Sequence, residues 1–202
     1  MANKDAPFGF RPVGELGSNI QNGGTTEYDI LPGLATALYK GDLMKQLAAN
    51  GTITSFTGGI DADVLGVFNG CYYVDPTTLK PTWSNYYPGG ITPPGSGPIK
   101  AYVYDDPNKL FECQANGTVA VNAAVGKNAD IVYAAGSTVN GQSNSELNVS
   151  TGGAGGGAPA SGSAQMRIIS LSRDPDNSDA SSANANWIVK MNESVYTRLT
   201  GV

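Results

Sequence analysis

The chain has 202 residues, of which 14% are charged, with a net charge of −5; Gly (27) and Pro (12) are frequent and histidine is absent. This length suits one medium domain or one domain with extensions, and the Gly and Pro content argues against long helices and for strands joined by turns. The acidic balance and scattered Lys/Arg speak against nucleic acid, whose affinity comes from neutralised phosphates, and no apolar run approaches a membrane span.

Residues 1–27 read as an extended N-terminal arm, with Phe8, Phe10 and Pro12 set among Gly, Asn and Pro without a period. Its start lacks the basic and apolar regions of a secretory signal, so folding in a cytoplasm is the expectation. The segment PFGFRPVG gathers aromatics, prolines and Arg11 in a way that a free tail does not need. Two readings stand: the arm folds back on its own domain, or it docks on a neighbouring subunit.

Residues 28–202 read as a β-rich domain. In TALYKGDLMKQL, Asp42 either caps a short helix or sits in a turn between two strands. The next segments favour strands: GTITSF is β-branched, and DVLGVFNGCYYV alternates. The alternation puts Leu65, Val67, Cys71 and Tyr73 on one face, and Gly66, Phe68, Gly70 and Tyr72 on the other. Glycines within a strand suggest a bulge or a close backbone approach. PTWSNYYPGGITPPGSG reads as a loop displaying Trp83, Tyr86 and Tyr87. IKAYVY is a strand ended by the DDPN turn. KLFECQANGTVAV predicts a hairpin across Asn116-Gly117, and ADIVYAAG another strand. Residues 150–165, STGGAGGGAPASGSAQ, are a flexible linker by composition. QMRIISL is a strand, SRDPDNSDASSANA a long polar loop, and WIVKMNESVY a closing strand with Trp187, Val189 and Met191 on one face. Eight or so short strands between turn signals predict an all-β fold: a single β-barrel or sandwich domain of short antiparallel strands, with long loops.

The sequence offers little to catalysis. Without histidine there is no Ser-His-Asp or Cys-His constellation and no His-ligated metal. Cys71 and Cys113, without a Cys-x-x-Cys, read as buried free thiols, or as a disulfide should their strands lie close. The Gly run and VGKN lack the context of a phosphate loop. Asp61 with Asp63, and Asp105 with Asp106, suit turns better than acid–base work. DPDNSD, residues 174–179, lacks the Gly and Glu of a calcium loop. Asn50, Asn116, Asn148 and Asn192 begin sequons that a secretory route would be needed to use. Trp83, Tyr86 and Tyr87 suit an interface or sugar stacking. No catalytic residue, cofactor or metal is expected.

Taken in order, MANKDAPFGFRPVG, YKGDLM, VLGVFNGCYYVD, YVYDDPNKLFECQANGT, VGKNADIVY and ANWIVKMNESVYTRLTGV cover most of the chain. Together they resemble a family of small virion proteins of tailed phages, found in marine and cyanobacterial phages, that act as capsid decoration or cement proteins. The resemblance implies a place on the outer capsid surface, the major capsid protein as partner, and a homotrimer on a threefold axis. It implies no nucleic-acid or membrane partner. The resemblance carries over no site residue; from the docking reading of the arm, Phe8, Phe10, Arg11 and Pro12 are the residues expected to contact the capsid or a neighbouring subunit. An arm of this kind would be disordered when free and ordered on the particle. A tail, fibre or surface adhesin binding host glycans through Trp83, Tyr86 and Tyr87 is the first rival, and a carboxylate hydrolase the second.

Overall fold

Short apolar alternations, each broken by Gly, Pro, Asn or Asp, give fourteen strands, one short α-helix and one 3-10 turn (Pro94–Ser96) in the described residues. The computed structural model describes residues 3–17, 24–58, 63–149 and 164–197. In chain order the strands are β1 (Arg11–Glu15), β2 (Thr26–Ile30), β3 (Leu38–Tyr39), β4 (Leu43–Gln46), β5 (Ile53–Ser55), β6 (Gly66–Val74) and β7 (Pro81–Ser84). They continue as β8 (Tyr86–Tyr87), β9 (Ile99–Tyr104), β10 (Lys109–Gln114), β11 (Asn128–Val132), β12 (Glu146–Asn148), β13 (Met166–Leu171) and β14 (Asn186–Met191). The helix, α1, spans Val121–Ala124. The all-β reading holds, with more and shorter strands than the turn signals separate.

β3 and β8 pair as a separate two-stranded ribbon, and the other twelve strands form two layers. One is a closed barrel with neighbours in the order β4-β5-β2-β9-β6, completed by a β4–β6 pairing through Leu43↔Val67. Every neighbouring pair in it is antiparallel except β2–β5, which meet in parallel at Ile30↔Ile53. The other layer is an open sheet in the order β1-β10-β14-β13-β11-β12. Ile30, Met44, Ile53, Phe68, Ile99 and Val103 belong to the barrel's own core. Phe111, Cys113, Met166, Ile168, Trp187 and Val189 line the sheet's inner face, where they join Leu43, Phe56, Val64 and Val67 from the barrel side. The sheet therefore packs against the outside of the barrel, and the apolar face of each covers the other.

The longest strand, β6, shows how this is built. Its start pairs with β4 and closes the barrel, while Cys71–Val74 pair with β7. Between them the register to β9 shifts at Phe68/Gly70, a β-bulge. The extra residue reverses the alternation. Val67 thus enters the barrel–sheet core, while Phe68, Cys71 and Tyr73 enter the barrel core. This corrects the single face expected for Leu65, Val67, Cys71 and Tyr73. The glycines do permit close approach. A Cβ on Gly66 would lie 2.3 Å from the Tyr104 carbonyl oxygen, and one on Gly70 would lie 2.9 Å from the Trp83 ring.

Of the two readings of the arm, the fold-back on its own domain is the one seen: β1 pairs with β10 over Arg11–Glu15, and β2 is a barrel strand from Thr26. Two further expectations change. The Asn116-Gly117 hairpin does not form, because β10 pairs with β1 and β14. Asn116 instead donates its N–H to the Leu147 carbonyl at 3.1 Å and accepts the Val149 N–H at 3.2 Å. Those bonds tie it to β12 and send the chain into α1. The aromatic loop contains strands, since β7 pairs with β6 and β8 with β3. The Asp42 segment is two strands, as favoured, with the Asp42 carboxylate accepting the Tyr39 N–H at 2.9 Å. The glycine-rich linker lies outside the described residues apart from Ala164 and Gln165, both buried.

Candidate interaction surface

Phe8, Phe10, Arg11 and Pro12 lie together along one side of a cleft of about 210 Å³, whose other side includes Lys40 and Tyr104. Glycine builds it. Gly9 and Gly41 both hold positive φ, 70° and 94°, and a Cβ on Gly9 would stand 2.7 Å from the Gly41 carbonyl oxygen. Only glycines let the two backbones approach so closely. That approach lets Phe10 donate its N–H to the Gly41 carbonyl at 3.0 Å, while Gly41 donates to Phe68 at 2.8 Å. The N-terminal segment is thereby fastened to the barrel.

The four residues then part company. Phe10 is 1% exposed and sits in the barrel–sheet core. Its ring fills the chain's own interior, which corrects its expected docking on another subunit. Phe8 is half-buried, and its ring lies 4.8 Å beneath the Arg11 guanidinium. Arg11 also pairs with Glu112, whose other oxygen accepts the Ser172 hydroxyl at 2.5 Å. Pro12 sits in β1, an edge strand, where the missing N–H is tolerated. Below them, Lys109 and Glu15 form a buried ion pair at 3.1 Å, and Lys109 lies 5.7 Å over the Tyr104 ring. The cleft thus has an aromatic floor and two cations at its rim, Arg11 and Lys40, both exposed.

Trp83, Tyr86 and Tyr87 do not form one patch. Tyr87 is fully buried, donating its hydroxyl to the Leu34 carbonyl at 3.1 Å. Tyr86 stacks on Tyr39 at 5.9 Å. Only Trp83 faces solvent, 55% exposed, and its neighbours are Tyr72 across the β6–β7 pair and Tyr102 at 4.9 Å. Sequence reading missed Tyr72, Tyr102, Tyr104 and Lys40. The signal was in IKAYVY, where Lys100, Tyr102 and Tyr104 share the outward parity and place aromatics on the wet face of a barrel strand.

The remaining polar candidates make bonds within the fold. Asp105 accepts the Tyr28 hydroxyl at 2.7 Å, and Asp106 accepts the Asn108 N–H at 2.8 Å. In the 174–179 loop, Asp174 and Asp179 accept bonds from Asp176 and Ser181. Asp61 lies outside the described residues. Cys71 and Cys113 are buried free thiols. Burial pushes Cys71 up to about 12 and Cys113 well above the usual thiol range, so both stay protonated. Among the described residues, no group of three or more Cys, Asp or Glu is placed to hold a metal ion, and no helix is long and apolar enough to cross a membrane. Searches against family models, curated proteins and solved structures found no match to this chain.

Proposed function

We propose that this chain is a tailed-phage capsid decoration protein that docks on the outside of the head and clamps neighbouring major capsid protein subunits. The observation that carries the reading is the cleft at Phe8, Arg11 and Pro12. It lies on the motif with which the resemblance begins, and it combines an aromatic floor with Arg11 and Lys40 on a chain of net charge −5. A capsid loop bearing an apolar side chain beside a carboxylate fits those features. No catalysis is part of the role. A homotrimer on a threefold axis would present three such clefts at once. Each contact then makes the next effectively intramolecular, so modest contacts sum to firm attachment against outward DNA pressure.

Two measurements test this. Quantitative mass spectrometry of purified virions should give near one copy per major capsid protein; a few copies per hundred would move the chain to the tail or a vertex. Binding to capsids stripped of the protein should fall at least about tenfold in the Phe8→Ala/Lys40→Glu double variant. Undiminished binding by that folded variant would remove the cleft from the interface.

A further inference from the structure

We propose a carbohydrate site on the outer face of β9, β6 and β7, a platform of Trp83, Tyr72 and Tyr102 that takes neutral or amino-sugar oligosaccharides. Register builds it. One cross-strand row runs Asp29–Lys100–Tyr72–Trp83, and the next runs Glu27–Tyr102–Gly70. Gly70 is the gap in the second row. With no side chain there, the Trp83 ring lies across the strand and meets Tyr102 at 4.9 Å. A Cβ on Gly70 would lie 2.9 Å from that ring, so the glycine sets the tilt of the platform. Trp83 and Tyr72 remain 55% and 40% exposed. At the end of the rows Lys100 bridges Asp29 at 2.8 Å and Glu27 at 3.1 Å, and all three stay in reach of solvent.

The chemistry selects the ligand. The C–H face of a pyranose carries partial positive charge and suits the negative face of an aromatic ring. Its hydroxyls both donate and accept, which matches two carboxylates beside one ammonium. The charged end carries two negative groups and one positive, on an acidic protein, so uronic and sialic acids are disfavoured. A protein partner fits less well, because protein interface cores are depleted of Lys, Glu and Asp. The three aromatic strands span two strand spacings, about 10 Å, and the row extended to Asp29 on β2 spans three, about 15 Å, which suits an oligosaccharide over a single ring.

The test uses the isolated chain and does not depend on the capsid reading. Trp187 is fully buried, so a change in tryptophan emission on adding sugar reports Trp83. Cellohexaose, maltohexaose and chitohexaose are titrated separately to millimolar concentration, with calorimetry in parallel. A saturable response to at least one is expected, weakened about tenfold in Tyr72→Ala and in Tyr102→Ala with unchanged melting temperature. Trp83→Ala, read by calorimetry, should abolish binding. No saturable response to any of the three overturns the proposal, as does binding that survives Tyr72→Ala and Tyr102→Ala unchanged. Concentration-dependent self-association lost in Trp83→Ala would also overturn it, since a second copy would then be the occupant.

Discussion

The barrel and the open sheet handle their backbone edges in opposite ways. The barrel closes on itself through Leu43↔Val67 and, among the described residues, leaves only the short β7 extension unpaired on one side. The sheet stays open, with edges at β1 and β12. Its β1 edge comes from the N-terminal segment, and its outer face carries a polar network. Glu112 there meets Arg11 and Ser172, while Gln114 binds Lys4, Ala6 and Asn184. Closure needs only its own strands. The open sheet depends on residues distant in sequence, and the joint between the layers depends on Phe10.

Removing that joint should have the largest effect. Phe10→Ala empties a buried aromatic site in the cluster that includes Phe111, Val67 and Leu43, and is expected to cost about 3–5 kcal/mol. Urea unfolding measures it. Coincident loss of tryptophan fluorescence and circular dichroism would mean barrel and sheet unfold together. Separate midpoints would mean the closed barrel outlives the sheet. The buried Lys109–Glu15 pair binds β1 to β10 and is the next point of attack. Lys109→Met strands the Glu15 carboxylate and should cost about 3–5 kcal/mol, with most of that recovered in Lys109→Met/Glu15→Leu. Failure of the double variant to recover would show that the pair positions the edge strand and does more than neutralise itself.

A pH comparison isolates the barrel side of the joint. Asp42 is fully buried and its Oδ1 has no hydrogen-bond partner among the described residues, and burial pushes the carboxyl up to about 6, partly opposed by bonds from Ser143 and the Tyr39 N–H. A carboxyl raised in the folded state binds its proton more tightly there than in the unfolded chain. Its stabilising contribution is therefore present at low pH and lost as pH rises from about 4 through about 6. Asp42→Asn keeps the acceptor for Tyr39 without the charge. Relative to wild type the variant should gain up to about 3 kcal/mol between pH 4 and pH 7.5. Chemical denaturation at both pH values checks this, and a pH-independent difference would mean the Asp42 charge is already compensated.

The reach of sequence reading divides along the same line. Alternation in IKAYVY and WIVKMN is visible because one side of each strand is buried and the other is not. The barrel-or-sandwich class came from such runs. β6 was harder, since the bulge at Phe68/Gly70 reverses its parity midway and no residue type announces which side of the glycine the slip falls on. The N-terminal arm was harder still. Phe10 looks like any exposed anchor until Gly9 and Gly41, thirty-two positions apart, are seen to touch. The platform was half legible: Trp83 is visible as a candidate, but its partners Tyr72 and Tyr102 come from two other strands through register alone.

The smallest effect asked of these variants is the most diagnostic of how the open sheet is held. Gln114 is fully buried on the sheet's outer side and uses both ends of its amide. Oε1 accepts the Ala6 N–H at 3.0 Å, and Nε2 donates to the carbonyls of Lys4 at 2.9 Å and Asn184 at 3.2 Å. Asn177 donates to the same Lys4 carbonyl at 3.0 Å and accepts the Lys4 N–H at 2.8 Å, so residues 3–6 are clasped between β10 and the 172–186 loop. Gln114→Leu keeps the volume and removes the clasp. Because the freed N–H and carbonyls lie near water, the global cost should stay near 1–2 kcal/mol, about the net worth of these bonds. Hydrogen exchange should respond locally: faster at Lys4, Ala6 and residues 177–186, unchanged at Met44, Phe68 and Val103 in the barrel. Faster exchange at those barrel amides would mean that the barrel, despite its closure, leans on the sheet's polar side, and the division between self-sufficient barrel and dependent sheet would fail.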